Sequence, residues 1–389
     1  MNSSVSLSVG HEGSCPADER GVLWEAGSLA RVFPQFRKQP GENEEALGGA
    51  RLSVRLENSS PVAVHFELLV EWGKVAHGCN LDFAYWRPPG SGEWEMVVGT
   101  PATSVDPGAV CIRYGLQLPP GVTAFAGSPE YNHSDLQDFL RRALSSGALL
   151  EEAGKSREGR SIPLLRLPSP RTNAPTFFLQ ARDHAYETAG SYFVEGFFES
   201  LAAGLGVAGY LRNQFDFCFL PMTNPDGVVN GMSRLTWERG ADLNRVNTKP
   251  DPAHDAIRAA LDRARPDVYL NIHNWTHRFE DGLYANDREM AEQIVEFLPA
   301  DSLHFKRWRI QTTADFLAAI GATETPPANQ SWKNYCKERF GSIGLVMEFP
   351  WFARTVADMR ALGARGGAAV ALAALCLRNG ETSRPPKKQ

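Results

Sequence analysis

Five short apolar runs constrain this chain more than any other feature. They are IPLLRL (162–167), TFFLQA (176–181), FDFCFLP (215–221), DVYLNIH (267–273) and GLVMEF (344–349). Between them lie stretches with apolar residues at helical spacing, ETAGSYFVEGFFESLAAGL (187–205) and DPAHDAIRAALDRA (251–264) among them. Strands that alternate with amphipathic helices imply an α/β unit around a largely parallel or mixed sheet. Asp251 reads as a helix cap with Pro252 in the first turn. A further helix is predicted over HSDLQDFLRRALSS (133–146), with Leu136, Phe139, Leu140 and Leu144 on one face and Ser134 as its N-cap. The aromatic run Tyr192, Phe193, Phe197 and Phe198 reads as the core face of its helix.

Before residue 130 the period changes to two. RLSVRLE (51–57), VHFELLVEW (64–72) and VCIRYGLQL (110–118) alternate apolar with polar residues and are bounded by Gly and Pro turns. That pattern predicts an antiparallel β-sandwich. The fold class is therefore α/β, a mixed sheet flanked by helices, preceded by an antiparallel β-sandwich domain. A chain of 389 residues has room for both. We place the N-terminal β-sandwich domain at 1–128, the α/β domain at 129–378 and a disordered tail at 379–389.

Composition narrows the setting. Net charge is −5, with Lys and Arg dispersed, so nucleic acid is not expected as a partner. The N-terminal segment has neither the basic start nor the apolar run of a signal peptide. The Ala/Leu-rich stretch 366–378 is too short and interrupted for a membrane span, so no membrane association is expected. Six widely separated cysteines read as reduced, buried thiols, and the expected location is cytoplasmic.

His184 and Glu187 follow the run 176–181 directly, and His273 closes the run 267–273. Functional groups of such sheets gather beyond the carboxyl ends of strands. Two imidazoles and a carboxylate suit a tetrahedral zinc with one open position. Glu348 stands inside an apolar strand, where a carboxylate is costly unless a cation, metal or proton compensates it. The other histidines, His254 and His304, are expected to face solvent. His277 and Trp275 are expected in a substrate-pocket wall.

These segments, with NPDGVVNGMSR (224–234), GADLNR (240–245) and SREGRSIPLLRL (156–167), together resemble the zinc metallocarboxypeptidases over residues 130–378. The interval of 86 positions between Glu187 and His273, and the junction YNHSDLQDFL (131–140), resemble the cytosolic carboxypeptidase-like branch. The resemblance implies one Zn2+ per chain, held by His184, Glu187 and His273. It implies Glu348 as general base, Arg234 as the oxyanion-stabilising arginine with Arg239 in reserve, and Asn244 and Arg245 as the grip on a substrate C-terminal carboxylate. Tyr335 is the nearest choice for the family's mobile tyrosine.

The implied activity is a zinc-dependent metallocarboxypeptidase, a hydrolase that removes the C-terminal residue of a peptide or protein tail. The segment QSWKNYCKERFGSIG (330–344) carries Lys333, Lys337 and Arg339 against the single acid Glu338, which points to acidic C-terminal residues such as glutamate. The alternative is a zinc-dependent amidohydrolase or deacylase of N-acyl amino acids or cell-wall peptides. The partner is thus a peptide or protein C-terminal tail, and a homo-oligomer is compatible with the sequence.

Overall fold

Alternation in the first third becomes ten strands. The computed structural model describes residues 4–16, 21–34, 51–73, 82–275, 278–286, 288–298 and 308–378. The strands are β1 (Val5–Ser8), β2 (Val22–Ala26), β3 (Leu29–Val32), β4 (Ser53–Asn58), β5 (Val64–Gly73), β6 (Phe83–Arg87), β7 (Glu95–Val98), β8 (Thr100–Ala102), β9 (Val110–Leu118) and β10 (Gly121–Ala126). They form two five-stranded sheets, in the orders β1-β4-β10-β6-β7 and β2-β3-β5-β9-β8. The first is antiparallel throughout. In the second, β3 runs parallel to β5. Alternation reports which side chains face inward, not which way a neighbour runs, so this pair was not legible beforehand.

Successive side chains on a strand point to opposite faces, and the first sheet uses both. Val54, Leu56, Ala84 and Phe125 share one buried cluster with Phe66, Leu68, Val70 and Leu116 of the second sheet. Tyr85, Ala124 and Ala126 point the other way and join the core of the C-terminal part. The first sheet is therefore buried between two cores.

The apolar runs form an eight-stranded mixed sheet: β11 (Leu149–Lys155), β12 (Ser161–Leu167), β13 (Thr176–Ala181), β14 (Asp216–Leu220), β15 (Val268–His273), β16 (Gly282–Ala285), β17 (Arg309–Thr312) and β18 (Ile343–Glu348). The order is β11-β12-β14-β13-β15-β18-β16-β17. The central strands β14, β13, β15 and β18 are parallel. The helices among the described residues are α1 (His133–Ser145), α2 (Ala189–Ala203), α3 (Gly206–Arg212), α4 (Pro225–Val229), α5 (Pro252–Ala264), α6 (Arg288–Phe297), α7 (Thr313–Ala319), α8 (Trp332–Phe340) and α9 (Val356–Arg378).

Local signals act as expected in α5, where the Asp251 side chain accepts from the Ala253 amide at 2.9 Å and Pro252 opens the helix. In α1 the cap is Asn132 rather than Ser134, because the Asp135 carboxylate accepts from the Asn132 amide and closes a reciprocal capping box. Its buried face is Leu136, Phe139, Leu140 and Ala143, and Leu144 is exposed. His254 is buried against Trp332 rather than solvent-facing, with ring centroids 4.9 Å apart. Cys15, Cys111, Cys218 and Cys336 are buried outside any disulfide, and Cys376 is half-buried. Cys79, His277, His304 and the tail 379–389 lie outside the described residues.

Helix α9, 23 residues long, does meet the length and composition of a membrane span. Its Met359, Ala369, Val370 and Ala373 are nevertheless packed in the core. Its partner is α2, and glycines set their separation. A Cβ on Gly196 would fall 1.9 Å from the Arg360 carbonyl oxygen, and one on Gly363 would fall 2.1 Å from the Phe193 carbonyl oxygen. Neither obstacle is a side chain that can turn aside. Alanine in place of glycine adds about 1 kcal/mol of helix propensity, but forcing two packed helices apart costs more. Gly196→Ala should therefore lower stability by about 1–3 kcal/mol, read from urea unfolding; an unchanged or raised midpoint would contradict the close packing.

Candidate active site

Register brings three strand ends to one level. Ala181 pairs with Ile272, Ile272 with Met347, and His273 with Glu348. Beyond β13 the chain turns at Arg182, which is buried with φ 63°. Its guanidinium donates to the carbonyls of Tyr131 and Ala185 and to the Ser191 hydroxyl. The turn continues through the Glu187 amide, which donates to the His184 carbonyl at 3.2 Å, and the Tyr186 amide, which donates to Ser233 at 3.1 Å. These bonds aim His184 and Glu187 back across the sheet toward His273.

The three side chains converge. His184 Nδ1 lies 2.8 Å from Glu187 Oε1, and His273 Nδ1 lies 2.7 Å from Glu187 Oε2. Their ligand atoms all fall within 4.8 Å of one another, and all three residues are buried. The outward nitrogens face acids: His184 Nε2 is 3.1 Å from Asp242 Oδ1, and His273 Nε2 is 3.7 Å from Asp183 Oδ2. Each histidine thus turns Nδ1 inward. Two imidazole nitrogens and one carboxylate, closely spaced and buried, are a donor set that fits zinc with a position left open.

Electrostatics shows a site that favours a cation. Burial alone would push the imidazoles toward neutrality, yet Glu187 and Asp242 raise His184 to about 9, and Glu187 raises His273. Burial would likewise raise Glu187, but the two histidines hold it well below the usual carboxylate range. Glu348 behaves differently. Burial, together with the neighbouring Glu187 charge, lifts it to about 7 against the pull of His273. It is the acid of this group that holds a proton near neutrality.

The remaining predicted residues divide. Arg234 donates to Asp242 Oδ2 at 2.9 Å, so Asp242 bridges it to His184. Arg239 is exposed. Asn244, Arg245 and Glu348 line a cleft of about 340 Å³, shared with Tyr284, Gln311, Thr313 and Lys333. Tyr335 is not among its lining residues: its hydroxyl donates to Asp262 at 2.8 Å, and its ring packs on Trp332 and Phe340. Tyr284 is the tyrosine on the cleft, its hydroxyl pushed up to about 12 by burial and by Glu348. Trp275 is buried against the Gly282 backbone, outside this lining.

Of the three cations in 330–344, Lys333 alone lines the cleft. Lys337 and Arg339 are exposed, and Arg339 pairs with Asp262. Lys333 is 8% exposed and donates to two neutral acceptors, Asn286 Oδ1 at 2.9 Å and Thr313 Oγ1 at 2.8 Å. No carboxylate among the described residues pairs with it. Gly344 makes its path, since a Cβ there would fall 2.8 Å from Lys333 Cγ. Burial, with Lys337 adding to it, lowers the ammonium to about 8.

Sequence reasoning passed over three residues. Asp242 stood inside GADLNR without a role. Asp183, fully buried, accepts from Gln180, Thr223 and Asn271. A buried aspartate beside a candidate ligand was a usable signal. Tyr284, in the short strand GLYA, carried none.

Comparisons with known proteins find similarity to zinc carboxypeptidases. The family model described as zinc carboxypeptidase matches residues 135–296. Cytosolic carboxypeptidase 2 of Xenopus tropicalis is 38% identical over 132 residues, 31% of this chain and 14% of that protein. Cytosolic carboxypeptidase 2 of Danio rerio is 35% identical over 186 residues, 43% of this chain and 26% of that protein. The matched stretches thus span a minor part of these relatives' own length. A metallo-carboxypeptidase structure from Burkholderia cenocepacia superposes with a TM-score of 0.76 over 96% of this chain and 99% of that one, at 19% identity, a likeness of fold.

The raised Glu348 carboxyl has a consequence for the metal-free protein. Its folded pKa of about 7 lies above the ordinary 4.5. The folded state therefore holds this proton more tightly, and stability falls as pH rises through that window. Glu348→Gln removes the group. In chelator-treated protein the variant should gain stability relative to the parent on going from about pH 5 to about pH 8. Urea unfolding at both values checks this; a difference that does not change with pH would contradict it.

Proposed function

We propose that this chain, which carries a zinc carboxypeptidase domain matched over residues 135–296, is a zinc-dependent hydrolase that removes one C-terminal residue, preferentially an acidic one, from a peptide or protein tail. On this reading residues 129–378 are the catalytic domain, residues 1–128 a β-sandwich domain packed on it, and the location cytoplasmic, as the names of its cytosolic relatives suggest. One observation carries the proposal. The cleft lined by Glu348, Asn244 and Arg245 is also lined by Lys333, a buried cation whose partners among the described residues are neutral.

His184, Glu187 and His273 would hold one zinc through two Nδ1 atoms and the Glu187 carboxylate. Zinc, when bound, lowers the pKa of a coordinated water and polarises a carbonyl. The chain's own groups do the rest. Arg245 and Asn244 bind the substrate's terminal carboxylate, the guanidinium as a planar fork. This orients the last peptide bond toward Glu348. The Glu348 carboxylate takes a proton from the attacking water and gives it to the leaving amine. Arg234, kept charged and oriented by Asp242, faces the negative charge that develops on the carbonyl oxygen. Asp242 also fixes the His184 tautomer through Nε2. Tyr284, on the cleft wall, is better placed than Tyr335 to cover a bound substrate. The deacylase alternative is less well supported, since the relatives are named carboxypeptidases.

Zinc and turnover should separate cleanly. Purified protein should hold about one zinc per chain, and His273→Ala should lose most of it. Glu348→Gln should keep the zinc and lose at least about a hundredfold in turnover on peptides with free C-termini. Near-normal turnover in Glu348→Gln would remove it as the base, and full zinc retention in His273→Ala would remove the ligand assignment.

Side-chain preference tests Lys333. A charge-assisted contact is worth about 1.5–3 kcal/mol, or roughly ten- to a hundredfold. C-terminal glutamate should be released faster than leucine or lysine from otherwise identical peptides. Lys333→Glu should invert the order between glutamate and lysine. If the unmodified protein prefers leucine or lysine, the acidic preference fails and the hydrolase reading stands.

A further inference from the structure

The loop that carries His184 and Glu187 is held from outside the eight-stranded sheet. Arg51, two residues before β4, is 8% exposed, and among the described residues its guanidinium donates to backbone carbonyls alone. Nη1 reaches Ala185 at 2.8 Å, Nη2 reaches Gly13 at 2.9 Å and Val228 at 3.1 Å, and Nε reaches Gly13 at 3.3 Å. Ala185 is the residue after His184. Its carbonyl also accepts from Arg182 Nη2 at 2.7 Å, so two buried cations from different parts of the chain converge on one oxygen.

Two buried guanidinium groups side by side are unfavourable. Burial lowers both, and the Arg51 charge lowers Arg182 further. A stapling role alone would be met by neutral donors. What a guanidinium adds is a rigid fork that spans three carbonyls at fixed angles. Here the three belong to the ligand loop, to the α4 segment that leads to Arg234, and to the Gly13 turn. Gly13, at φ +72°, is fitted to this arrangement, since a Cβ there would fall 2.5 Å from Arg51 Nη2.

We infer that Arg51 is a positioning residue for the metal-ligand turn: by fixing the Ala185 carbonyl from the N-terminal sheets, it holds His184 and Glu187 where both can bind one ion. A second link from the same side supports this. Ser128 Oγ, just after β10, lies 3.2 Å from Thr188 Oγ1, on the residue following Glu187. The inference rests on the zinc-binding reading proposed above.

The test measures affinity for Zn2+ alone, by competition with a chromophoric chelator on the full chain, beside urea unfolding. Arg51→Met should lose roughly ten- to a hundredfold in zinc affinity, the scale of an outer partner of a ligand. Arg51→Lys, a single donor centre in place of the fork, should recover part of it. Gly13→Ala, which displaces the guanidinium without removing it, should weaken zinc as well. Arg55→Met is the control: it breaks the pair between Arg55, on β4, and Glu130 without removing a bond to the ligand turn, so it should reduce stability and leave zinc affinity unchanged. Parent-like zinc affinity in folded Arg51→Met overturns the inference. Should that variant not fold, parent-like affinity in both Arg51→Lys and Gly13→Ala overturns it. A parent that binds no zinc overturns instead the proposed function on which the inference rests.

Discussion

A buried carboxylate flanked by two imidazoles governs this molecule. Glu187 is 3% exposed, with each oxygen turned to a different histidine nitrogen. A charge so far from water must be neutralised in place, and the surroundings are arranged for that. Asp242 and Asp183 stand behind the two imidazoles, which increases the attraction for positive charge between them. Glu348, at the edge of the same group, cannot also ionise without cost and keeps its proton near neutrality. One arrangement thus produces both a candidate cation site and, on the proposed reading, an acid–base group beside it.

The fold's contribution is to make that arrangement a matter of register. Parallel pairing of β13, β15 and β18 sets His273 opposite Glu348 and brings the β13 exit to the same height. The strands are apolar and covered by helices, so their ends are fixed to the precision of core packing. The cleft uses the same logic. Gly344, on β18, leaves the groove through which the Lys333 stem runs, so a missing side chain on a strand places a charge on a helix.

Much of this was legible in the sequence, for identifiable reasons. Apolar runs broken by helical patterns gave the central sheet, and the three candidate ligands and Glu348 fell at or just beyond strand ends, where position in the sequence nearly determines position in space. Other residues depended on direction of approach, which periodicity does not encode. Lys333 and Tyr335 illustrate it. They are two positions apart on α8, about 200° around the helix axis, so a helix that turns one to the cleft turns the other away. A cleft cation at Lys333 and a cleft tyrosine at Tyr335 would require one helix to face both ways. Tyr284 could not be found at all, because β16 is four residues long and reaches the site only by antiparallel pairing with β18. The solvent-facing expectation for His254 failed for a related reason: α5 covers the sheet, and its histidine meets Trp332 from α8.

Parallel order also bears on the birth of the molecule. His273 follows Glu187 by 86 positions, and Glu348 comes later still. Parallel strands cannot pair through a hairpin; each needs its crossover completed first. During synthesis the N-terminal sheets, with Arg51 among them, emerge before any ligand does. A nascent chain extended through β15 has all three candidate ligands but lacks the strand that carries Glu348, and it also lacks Lys333. On the proposed reading, such a chain could take up its ion while still unable to cut a peptide, and hydrolytic competence would wait for β18, close to the end of translation of the described fold.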